Sequence, residues 1–88
     1  METGLLFELP IAGKETKILI NRHCTKQRVL YSVEMLEGDQ TTECLFMAYD
    51  RDEWSYKFTT APTSIELMEK ENEFSEFIFE YFHNYNLN

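Results

Sequence analysis

Apolar and polar residues alternate along most of the first sixty positions, and the period changes after Pro62. Alternation at every second residue marks a strand with one buried face. Apolar positions three and four apart mark a helix. The pattern predicts strands at about 3–9, 16–23, 28–36, 41–49 and 54–60, and then one long amphipathic helix from about Ser64 to about Tyr85. Thr63-Ser64-Ile65-Glu66 reads as a capping box with Thr63 as N-cap. At about 1.5 Å per residue such a helix is about 33 Å long and could lie across a whole sheet.

Turn chemistry orders the strands as a meander. Glu37-Gly38-Asp39-Gln40 suits a two-residue type II′ loop, in which glycine supplies a positive φ. That turn sets Met35 opposite Thr42, Val33 opposite Cys44, Tyr31 opposite Phe46 and Val29 opposite Ala48, all on one face. A turn at Thr25-Lys26 brings Ile20 opposite Tyr31 and Ile18 opposite Val33, and one near Ala12-Gly13 adds Leu5, Phe7 and Leu9. The fold class is therefore α+β. A single domain over residues 1–88 holds a four- to five-stranded antiparallel meander, and the C-terminal helix packs on one sheet face.

This arrangement leaves apolar surface over. On the second and third strands the opposite face carries Lys17, Asn21, His23, Arg28 and Ser32 with Leu19 and Leu30. Further along, the same face carries Leu45, Met47, Tyr49, Trp54, Tyr56 and Phe58, too many aromatics for an ordinary exterior. The apolar side of the helix is about 200° wide, against about 100° for a simple surface helix. A bulge near Asp50–Glu53, a curled sheet or an interface would each absorb the excess. The interface is the reading carried forward, as a homodimer built on Met47, Tyr49, Trp54, Tyr56 and Phe58 with Phe79 and Phe82 on the helix shoulder.

Charge narrows the functions open to such a surface. The 88 residues include 16 acidic and 8 basic side chains, a net charge of −8. Residues 1–30 carry five basic and three acidic groups, whereas the rest of the chain is strongly acidic. Glu66, Glu69, Glu73, Glu76 and Glu80 fall within an arc of about 80° on the helix. An acidic total opposes phosphate binding. The locally basic Lys17, His23 and Arg28 beside Tyr49, Trp54 and Tyr56 keep single-stranded nucleic-acid binding as the alternative.

Candidate chemistry adds little. No apolar run approaches the ~20 residues of a membrane helix, and no signal or lipidation pattern is present, so a soluble cytoplasmic protein is expected. Cys24, Cys44, His23 and His83 lack the close spacings of a zinc site, and neither a metal nor a cofactor is implied. His23 and Cys24 are strand neighbours and point to opposite faces, so they cannot pair as base and nucleophile. Asp50-Arg51-Asp52-Glu53 lacks the glycine and terminal glutamate of a calcium loop. With no catalytic constellation, the sequence reads as a non-enzymatic protein-interaction or regulatory module.

Overall fold

The computed structural model describes residues 4–83. Five strands, β1 (Leu5–Ile11), β2 (Lys14–Cys24), β3 (Val29–Glu37), β4 (Gln40–Asp50) and β5 (Ser55–Phe58), form one antiparallel sheet in chain order. Both two-residue turns are of the mirror-image types that match the twist of a hairpin. Ala12 and Gly13 lie at φ +55° and +76°, the two left-handed residues of a type I′ turn. Gly38 lies at φ +64° while Asp39 does not enter the left-handed region, as in a type II′ turn.

The β2–β3 connection is longer than a two-residue turn. Residues 25–28 form the loop, organised by the Thr25 hydroxyl, which accepts from the Gln27 and Arg28 N–H groups at 3.2 and 3.0 Å and donates to the Arg28 carbonyl at 2.8 Å. Ile20 therefore faces Val33 and Ile18 faces Met35. The register moves by two residues from the expected one, and side-chain facing survives because the strand period is also two.

The β3–β4 register differs by one residue, and the consequence is larger. Glu37 pairs Gln40 and Leu36 pairs Thr41 as the turn dictates, but Met35 then pairs Glu43. Thr42 is the extra residue of a β-bulge, and its hydroxyl donates to the Met35 carbonyl at 3.2 Å. Beyond it Val33 faces Leu45 and Tyr31 faces Met47. Cys44, Phe46 and Ala48 are thereby turned to the convex face, and Leu45 and Met47 enter the core. β5 turns with them, Tyr49 pairing Tyr56 and Met47 pairing Phe58. A bulge was one of the three ways to absorb the apolar excess, and the β3–β4 register shows one at Thr42, not near Asp50–Glu53.

The C-terminal segment is not one long helix. It comprises α1 (Ile65–Met68), α2 (Glu71–Ile78) and a π-helical continuation over Phe79–His83; the expected end near Tyr85 lies outside the described residues. Ser64, not Thr63, is the N-cap, its Oγ accepting from the Leu67 N–H at 3.2 Å. The Thr63 hydroxyl is taken by Glu43 of β4 at 2.9 Å. At the break the Lys70 N–H reaches back only three residues, to the Leu67 carbonyl at 3.0 Å. This tight turn rephases α2 against the sheet.

The core lies between the concave sheet face and α2, where Ile18, Ile20, Val33, Met47, Phe74 and Ile78 are fully buried. Phe77 packs on Phe7 of β1 with ring centroids 4.5 Å apart, and Phe74 packs on Phe58 of β5 at 6.2 Å. One helix thus touches both outer strands, which requires the sheet to curl around it. Among the described residues no helix is long and apolar enough to cross a membrane.

Candidate functional site

The outer edge of β5 is occupied by α2. The Tyr56 N–H donates to Ser75 Oγ at 2.9 Å and the Phe58 N–H to Glu71 Oε2 at 2.8 Å. The Lys57 ammonium lies 3.5 Å from Glu71 Oε1 and 3.8 Å from Glu53. Glu71, which falls outside the acidic arc of the helical wheel, thus joins Ser75 in tying α2 to the sheet.

The seven residues expected at an interface divide by position. Met47, Tyr56 and Phe82 are buried, Phe58 and Phe79 are half-buried, and Tyr49 and Trp54 are exposed. Six of them stand on or against the concave face. The Tyr56 ring lies 5.0 Å from Tyr31, 5.3 Å from Tyr49 and 5.0 Å from Phe79, and Phe82 lies 5.0 Å from Tyr31. The excess of aromatics on the outer face is therefore corrected: the bulge at Thr42 carries these side chains inward. Burial, with smaller contributions from Tyr31 and Tyr49, pushes the Tyr56 phenol well above its ordinary value.

Of these seven, Tyr49 and Trp54 remain at the surface, and the sheet opens next to Tyr49. The β3–β4 ladder ends at Tyr31–Met47, while β4 runs on to Asp50 paired only with β5. The Phe46 carbonyl accepts from Thr59 at 2.8 Å, so even-numbered residues of β4 bond towards β5. By alternation Tyr49 turns its backbone N–H and C=O towards β3, and Val29 turns its own towards β4. A notch of about 620 Å³ at this end of the sheet is lined from Arg28 and Val29 across residues 48–51 of β4 and its loop to residues 56–59. Asp50 is turned into its own loop, accepting from the Asp52 N–H at 2.9 Å. Among the described residues Arg28 and Arg51 carry no ion pair.

Trp54 closes the loop that leads into β5. It is 78% exposed and sits at φ +56°. A bulky residue in the left-handed region costs of order 1 kcal/mol. The concave-face core does not use this indole.

The three basic residues of the alternative reading lie on β2 and in the loop that follows it. Lys17 and His23 stand on the convex face, where His23 Nε2 lies 2.8 Å from Ser32 Oγ and its ring 6.1 Å from Phe46. Arg28 belongs to the notch. Arg51 and Val29 were not among the residues expected at a site. Their position follows from where the β3–β4 ladder stops, which no local pattern encodes. Cys44 lies beside Glu34, and partial burial followed by that carboxylate raises its thiol above the usual range. Among the described residues no group of three or more His, Cys, Asp or Glu side chains could hold a metal ion. Compared with protein-family models, with curated proteins and with solved structures, the chain has no match in any of the three.

Proposed function

We propose that the protein is a non-enzymatic interaction module that self-associates through the aromatic rim formed by Tyr49 and Trp54 at the open end of the sheet. One observation carries this reading. Trp54 is held in a costly backbone conformation with its indole in solvent, and Tyr49 and Val29 are exposed as well. Tryptophan and tyrosine supply most of the energy at protein interfaces once they are desolvated. Buried Tyr56 and half-buried Phe79 support the Tyr49 ring from behind.

The full chain is expected to be a dimer at micromolar concentration in light scattering. Trp54→Ala and Tyr49→Ala should each weaken it by about tenfold or more, the effect of removing an interface anchor. Both positions are exposed, so circular dichroism should be unchanged. A mass that stays monomeric at every concentration would end this reading.

A further inference from the structure

We propose that the convex side of the notch binds a nucleotide unit, with the base stacked on Phe46 and the phosphate held by Arg28 and Arg51. The site lies on the sheet face opposite the core and stands independently of self-association.

Strand register places the parts. Phe46 pairs with Ser32 of β3, and its carbonyl accepts from the Thr59 N–H at 2.8 Å and the Thr59 hydroxyl at 3.2 Å. Two residues further along β4, Ala48 pairs with Lys57. By alternation Phe46, Ala48 and Lys57 project from the convex face. Ala48, Lys57 and Thr59 line the notch together with Arg28 and Arg51. Phe46 therefore stands at the border of the notch, about 6.7 Å along the strand from Ala48. Ala48 contributes only a methyl group to the floor between the ring and the arginines.

The Phe46 ring is 40% exposed. The His23 ring packs on it with centroids 6.1 Å apart, and His23 is itself fixed by buried Ser32, with Nε2 2.8 Å from Oγ. Bases stack on such a presented ring. Among the described residues Arg28 and Arg51 carry no ion pair, in a chain with 16 carboxylates. Asp50, the carboxylate in the notch wall, bonds the Asp52 N–H instead. Guanidinium groups match phosphate oxygens two at a time. Lys57 already serves Glu53 and Glu71 and adds less. Asp52 and Glu53 follow Arg51 in sequence, which leaves Arg28 as the stronger anchor. The net charge of −8 opposes phosphate as a total. Exposed charges further away than about 8 Å are largely screened at physiological salt, so the local cations decide. A volume of about 620 Å³ suits a ligand of nucleotide size. An acidic peptide would satisfy the arginines and leave Phe46 unused.

The test uses the full chain at low salt with two probes, uridine monophosphate in calorimetry and a fluorescein-labelled oligouridylate in fluorescence anisotropy. Binding of either supports the site. Affinity that rises with strand length identifies a single strand as the ligand, and equal affinity identifies the free nucleotide. Phe46→Ala should weaken binding by about tenfold or more, the loss of one stacked base. Arg28→Gln should weaken it too, and should lower the salt slope for the strand by about 0.7, one phosphate contact. If Phe46→Ala unfolds the chain, Phe46→Leu serves in its place, since it keeps apolar bulk and removes the aromatic face. No binding of either probe, binding indifferent to Phe46, or equal competition by polyglutamate would each overturn the proposal. The last would mark a bare anion site. None of these outcomes bears on the dimer, which light scattering reads separately.

Discussion

Ser75 and Glu71 stand one helical turn apart, and the amides they accept from stand two residues apart on β5. The two spacings agree, at about 6.0 Å along a helix and about 6.7 Å along a strand. A serine at 3% exposure in a helix is otherwise hard to explain, and here its hydroxyl serves a buried N–H. Ser75→Ala should therefore cost about 1–3 kcal/mol in urea unfolding, the penalty for orphaning a buried donor rather than for losing one average hydrogen bond. Tyr56 makes a second prediction at this scale. Its phenol ionises at higher pH in the folded chain than the value near 10 expected when unfolded. The unfolded state therefore loses this proton first. The group's contribution to stability is complete below about pH 10 and is lost as pH rises towards the folded value. Urea midpoints between about pH 8 and pH 11 should fall less steeply in Tyr56→Phe than in the wild type.

At the scale of the element, parity decides what a register error does. The β2–β3 loop is two residues longer than its turn signal suggests, and Ile18, Ile20, Val33 and Met35 still face inward. The bulge at Thr42 adds one residue and reverses everything after it. Deleting Thr42 should drive Leu45 and Met47 out of the core and abolish cooperative thermal unfolding, observed as loss of the calorimetric transition. The meander, its strand positions and both two-residue turns were legible because glycine and hydrophobic alternation mark them. The bulge was not, since Thr41, Thr42 and Glu43 are polar on either face and the pattern is blind to which one is extra. The helix break was half legible. Glu71 stood out on the wheel, but only the position of β5 explains it. Of the candidate site, Tyr49 and Trp54 were readable as aromatics. Arg51 and the notch depend on where two strands part, a property of the sheet as a whole.

At the scale of the molecule, curvature is what lets a small helix suffice. α2 has eight residues and cannot span a flat five-stranded sheet, yet Phe77 and Phe74 reach strands at opposite edges. Phe77→Ala should release β1 selectively. A stability loss of about 1–3 kcal/mol is expected for a half-buried ring. Hydrogen exchange should quicken in β1 while the capped amides of β5 stay protected. The occupied edge of β5 has one more consequence. A strand whose outward N–H groups are already satisfied cannot template another strand, so the sheet cannot grow from that side. At the far edge Pro10 offers no N–H, which interrupts the row that a newcomer would need. The proposed association through the rim is therefore expected to end at a closed pair, and raising the concentration should saturate the dimer without seeding fibrils.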